Sequence, residues 1–167
     1  MTQTLSFMPD TMFLMKSDLT TNQLLQEQSI TQILECNKDT AEYQLTLSRE
    51  EAILLIDTRR EALKATQRIE IGGGTIYKLI ECFKDSPYLI QDNYAAVMSE
   101  LIDTFYYFKN ETLDEISDDE LIACMKELFD EKCGGSIELL QGRELESIAH
   151  HIRFGTYEED EESEEEC

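Results

Sequence analysis

The sequence predicts an all-α fold, a single-domain bundle of about six helices with at most two very short strands and a disordered acidic C-terminal tail. Three observations carry that expectation. Apolar residues recur with a helical period along most of the chain. Two Ser-x-x-Glu boxes, "SREE" at Ser48 to Glu51 and "SDDE" at Ser117 to Glu120, announce helix starts. Only "YQLTL" (Tyr43 to Leu47) and "RIEI" (Arg68 to Ile71) alternate as strands do, and both are too short to build a sheet on their own.

Each element has a local reason. A first helix capped by Thr20 or Thr21 carries Leu24, Leu25, Ile30, Ile33 and Leu34, with a break suggested near Gln28 and Ser29 and an end by Thr40. The Ser48 box opens a second, running to about Thr66, whose apolar positions Ala52, Leu55, Ile56, Ala62 and Leu63 share a face interrupted by Arg59 and Arg60. Ile76, Leu79, Ile80 and Phe83, at i, i+3, i+4 and i+7, mark a third, stopped at "DSP" because the residue before Pro87 is pushed out of helical geometry. Tyr94, Met98, Leu101, Phe105 and Phe108 form the seam of a fourth, central helix between Asp92 and about Asn110. The Ser117 box opens a fifth with Leu121, Ile122, Met125, Leu128 and Phe129, and Gly134 stops it in a left-handed turn. A short sixth helix follows Gly142 with Leu145, Ile148, Ala149 and Ile152. Residues 1–18 then form an N-terminal arm, 19–155 the helical domain and 156–167 the tail.

Charge bounds the function. The chain of 167 residues has 36 acidic and 14 basic residues, a net charge of −22. Without the eight acids of the tail 158–166, 28 acids still face 14 bases, so the body carries −14 by itself. Nucleic acids and anionic membrane surfaces are repelled by such a field, and a basic partner is attracted. No unbroken apolar run exceeds the five residues Ala52 to Ile56, far short of the ~20 a membrane span needs, and no cationic region precedes an apolar one at the N-terminus. The expectation is a cytoplasmic protein. Its five cysteines (Cys36, Cys82, Cys124, Cys133, Cys167) lie 46, 42, 9 and 34 positions apart, which suits reduced thiols and neither a disulfide framework nor a zinc knuckle.

The three consecutive glycines, Gly72, Gly73 and Gly74, stand before a helix, where phosphate-cradling loops sit. They are followed by Thr75, Ile76 and Tyr77, so neither the Walker pattern nor a dinucleotide fingerprint is present. A sharp turn with close backbone approach is the favoured reading; an anion held on the free amides with help from Lys78 is the alternative, opposed by Glu70 and the acidic body. Cys133 follows a helix C-terminus, where the dipole disfavours a thiolate, and Lys132 weakens that objection without reversing it. His150 and His151, adjacent on a helix, point about 100° apart and do not pinch one metal. No cofactor is implied. Phe105, Tyr106, Tyr107 and Phe108 cover most of a helix circumference, which reads first as core and second as a partner groove or apolar pocket lined by the tyrosines.

The strings "IGGGTIYKLIECFKDSPYLIQDNY", "YYFKNETLDEISDDELIACMKELFD" and "GSIELLQGRELE" resemble a family of small acidic proteins of Clostridia-type Firmicutes classed as a domain of unknown function, over roughly Ile33 to Phe154. The resemblance implies kinship and a cytosolic place in an anaerobic Gram-positive bacterium; it carries no activity, cofactor or catalytic residue. Two readings stay open. The favoured one is a non-enzymatic accessory or interaction protein that docks through a helix groove on a locally basic protein partner. The other is a small-molecule binder or enzyme with its pocket between the Gly72 to Gly74 turn and the Phe105 to Phe108 helix. Gly72, Gly73, Gly74, Lys78, Tyr106, Tyr107, Asp118 and Asp119 are the candidate surface for partner or ligand.

Overall fold

The computed structural model describes residues 11–72 and 74–155, with side chains from Thr20 onward. Gly73, the acidic tail from residue 156 and the first ten residues of the proposed arm lie outside the described residues. Within them the fold is all-α, as the periodicity predicts, and neither alternating segment becomes a strand. Helix α1 spans Thr11–Glu35 and is followed by a single turn, Asn37–Thr40, and a 3-10 turn, Ala41–Tyr43. Then come α2 (Arg49–Ala65), α3 (Gly74–Phe83), α4 (Tyr94–Glu111) and α5 (Asp118–Glu127), the last prolonged by a π turn at Leu128–Lys132. The final helical stretch starts at Ile137–Leu139, passes through a π turn at Leu140–Glu144 and ends as α6 (Leu145–Phe154).

α4 is the central helix. It packs against α2, α3, α5 and α6, and its seam residues Met98, Leu101 and Phe105 are completely buried. Burying a side chain of that size is worth roughly 1.5–3 kcal/mol, so each of these seam residues is a substantial stabilising contact. Phe83 of α3 meets Phe129 edge-on, with ring centroids 5.6 Å apart, which fastens α3 to the π turn after α5. Both predicted capping boxes form: Ser48 Oγ accepts the Glu51 amide while Glu51 accepts the Ser48 amide, and Ser117 and Glu120 do the same. Gly134 turns with φ 57°, where the fifth helix was expected to stop. The sharper constraint is its neighbour Gly135, at φ 81°, where a Cβ would stand 2.5 Å from the Tyr88 side chain.

Several boundaries differ from expectation, each for a physical reason. α1 is already helical at Thr11, ahead of the expected cap at Thr20 or Thr21, and no glycine or proline interrupts it from 11 to 35. It does not break at Ser29, whose hydroxyl donates back to the Leu25 carbonyl at 3.0 Å within the helix. Leu24 and Leu25 stay largely exposed, while Ile30 and Ile33 enter the core, so of its described side chains those near the C-terminal end carry the burial. The last helical stretch starts before Gly142, at Ile137, where Ser136 Oγ accepts the Leu139 amide; Gly142 is absorbed into the π turn.

The two alternating segments have instructive outcomes. Leu45 and Leu47 point into the core as alternation predicts; among the described residues no strand lies beside them, the Leu45 backbone pairs with Thr40, and the backbone of Thr46 and Leu47 is served by side-chain amides. Asn37 accepts the Leu47 amide at 2.8 Å and donates to its carbonyl at 2.9 Å; Gln91 treats Thr46 the same way, at 2.8 and 2.9 Å. In "RIEI" the phase is inverted. Ile69 and Ile71 are 95% and 102% exposed, and Arg68 and Glu70 face the protein.

Candidate functional site

Around the glycine turn, Gly72 adopts φ 87° and its carbonyl accepts from the Arg59 guanidinium of α2. The same guanidinium reaches Glu70 at 3.1 Å, and its Nε donates to the Tyr106 hydroxyl at 3.1 Å. Tyr106 in turn donates to Glu70 at 2.6 Å. The structure therefore brings Gly72 and Tyr106 together, as the sequence reading required of a pocket, but Arg59 and Glu70 fill the space between them. Burial, followed by the Glu70 carboxylate, pushes the Tyr106 phenol up to about 12.

Lys78, one turn into α3, pairs with Asp119 at 2.8 Å. Asp118 pairs with the nearly buried Lys109 at 2.9 Å, and Lys109 also donates to the Ile116 carbonyl. Arg68 holds Asp114 at 2.8 Å, which keeps that carboxyl below its ordinary range. Lys78, Asp118 and Asp119 thus act as ties between α3, α4 and the start of α5. The cations near the glycine turn already face carboxylates of the chain itself.

On another face of α4 the structure forms an open groove of about 940 Å³, bounded by the end of α2, by α4 and by the last helical stretch. Its floor is apolar, with Ala62, Ala65 and Ile137, and the half-exposed ring of Tyr107 adds apolar surface on the α4 wall. Its rim is acidic. Glu100, Asp103 and Glu111 line one wall with Tyr107, at positions that share a helix face, and Glu138 and Glu146 line the other. Among the described residues no lysine or arginine is in the lining, and Arg153, paired with Glu111, is the cation that an ion pair brings to a rim acid. Gln141 donates to Thr104 and ties the two walls together. The Tyr107 phenol is pushed up by burial and then by the carboxylates of Glu111 and Glu146, a local sign of negative potential.

The sequence reading singled out Tyr106 and Tyr107, and both line this groove; its five acids were missed. The signal was present on α4, where Glu100, Asp103, Tyr107 and Glu111 recur at i, i+3, i+7 and i+11 beside the apolar seam. Pairing that stripe with Glu138 and Glu146 required the packing of the last helical stretch on α4.

Other chemistry is sparse. Burial pushes the Cys36, Cys82, Cys124 and Cys133 thiols above their ordinary value, away from the thiolate. Among the described residues no group of three or more His, Cys, Asp or Glu side chains is arranged to hold a metal ion. No helix among them is long and apolar enough to cross a membrane.

The family of unknown function DUF6323 matches residues 32–158. The chain belongs to that family. The matched span contains α2 to α6 and the whole groove, and it leaves out most of α1. No curated protein and no solved structure matches the chain.

Proposed function

We propose that this family member is a non-enzymatic interaction protein that docks on a locally basic partner protein through the groove between α4 and the last helical stretch. The observation that carries the reading is the groove itself: five carboxylates around an apolar floor, with a cation in contact with one of them. Unpaired carboxylates beside apolar surface favour a partner that brings lysine or arginine together with an apolar side chain. The net charge of −22 speeds such an encounter at low salt and repels polyanions. We place the encounter in the cytosol of Clostridia-type Firmicutes, as the sequence resemblance suggests.

Affinity capture from such a host, with the wild-type protein and with a Glu100→Lys, Glu138→Lys variant, tests the proposal. A stoichiometric basic protein that is retained by the wild type, weakened by high salt and lost with the variant supports it. Equal capture by both forms, or a retained metabolite with no protein, sinks it. Deleting residues 158–167 is a further arm: association slows at low salt while affinity at physiological salt stays nearly constant, because exposed charges more than about 8 Å apart are screened there.

A further inference from the structure

We propose that the occupant of the acidic groove is a single amphipathic helix of about three turns, with an apolar stripe flanked on both sides by lysine or arginine. This rests on the docking reading and names the class of partner segment that the groove takes.

The walls decide between a helix and an extended strand. They are α4 and the last helical stretch, whose backbone groups are bonded within their own helices apart from end groups such as the first amides at Ile137 and Glu138. The groove therefore offers no open backbone edge for strand addition. An extended ligand would bury peptide groups without partners, whereas a helical ligand satisfies its own.

The dimensions agree. From Glu100 to Glu111 the acidic wall of α4 is about 16 Å long at about 1.5 Å per residue. A helix of that length and about 10 Å across occupies about 1,250 Å³, the same order as the open groove of about 940 Å³. Asp103 and Glu111 lie eight residues apart on one wall, as do Glu138 and Glu146 on the other. The α4 pair spans about 12 Å, close to the rise of about 11 Å between basic residues two turns apart on a ligand helix, while the π turn at Leu140–Glu144 lies within the second pair. The apolar stripe then faces Ala62, Ala65, Ile137 and the Tyr107 ring, and the two basic flanks face the two acidic walls. Tyr107, aromatic, half-exposed and set among the acids of the α4 wall, is the anchor expected to dominate the affinity.

The test uses labelled 12-residue peptides of defined chemistry and the full-length protein. One pool is hydrocarbon-stapled into a helix, with leucine, isoleucine, methionine or phenylalanine along one stripe and lysine or arginine on both flanks. Its control pool has the same compositions built from alternating D- and L-residues, which keeps charge and hydrophobicity but forbids the helix. The expected result, read by fluorescence anisotropy, is saturable one-to-one binding by members of the helical pool and at least tenfold weaker binding by the controls. Tyr107→Ala, checked for folding by circular dichroism, weakens binding at least tenfold, as loss of an interface anchor does. Glu100→Gln and Glu138→Gln each weaken it about two- to fivefold, the range for exposed ion pairs. Glu127→Gln, an exposed acid outside the groove lining, leaves it unchanged. Equal binding of both pools with sensitivity to the groove substitutions overturns the helical occupant while docking stands. Binding insensitive to every groove substitution overturns both, and absence of binding by the helical pool overturns the helical occupant.

Discussion

Tyr106→Phe should lose stability by an amount that shrinks as pH rises, because the hydroxyl it removes sits in a buried, charged contact. That hydroxyl accepts from Arg59 at 3.1 Å and donates to Glu70 at 2.6 Å, on a fully buried side chain. Arg59 and Glu70 remain paired with each other after the substitution, so the loss is below that of two independent charge-assisted hydrogen bonds, about 2 kcal/mol. The phenol's folded value is raised from its ordinary 10 to about 12. A raised folded value means stability that is fully present below about pH 10 and lost progressively as pH rises from about 10 to about 12, where the unfolded phenol ionises and the folded one resists. At pH 11 the wild type has therefore given up about 1.4 kcal/mol that the phenylalanine variant never had. The gap between the two proteins should fall from about 2 kcal/mol at pH 9 to about 0.6 kcal/mol at pH 11. Ionisation of lysines and of Tyr94 is common to both proteins and cancels in the difference. Urea denaturation of both proteins at half-unit steps from pH 8 to 11 measures it, and a gap that stays constant or widens would refute the Arg59, Glu70 and Tyr106 network as the source of the stabilisation.

Ser48→Ala and Ser117→Ala should each cost about 1 kcal/mol as lost helix caps, read as a lower denaturant midpoint with an unchanged slope; unchanged midpoints in both would mean that the boxes at α2 and α5 are not the caps described. Gly135→Ala should be costlier, about 2–4 kcal/mol, because strain at a left-handed residue adds to overpacking against Tyr88. In a thermal melt Tyr88→Ala should recover only the steric part of that loss, and full recovery would show that the φ of 81° carries no penalty.

Most of the helical architecture was legible in the sequence because its causes are local. A serine three residues before a glutamate caps its own helix, a proline ends one, and a seam at four-three spacing needs only to know that it will be buried. Tyr94, Met98, Leu101, Phe105 and Phe108 were legible on those terms, and all five are buried.

The "RIEI" segment shows where local pattern stops. Alternation gives the period of an extended chain but not its phase. The isoleucines face solvent because Arg68 finds Asp114, 46 positions away, and Glu70 finds Arg59 and Tyr106, 11 and 36 positions away. The same limit hid the groove. Its acids belong to two helical stretches that the pattern reads as separate polar faces, and Asp118 and Asp119 read as equally free until Lys109 and Lys78 are placed against them. The chain by itself determined which stretches are helices and that the whole is acidic, since those follow from neighbouring residues and from counting. Tertiary packing decided which acids remain without a cation and gather around an apolar floor, because a charge is neutralised by whatever lies within a few ångströms in space, and sequence order does not set that distance.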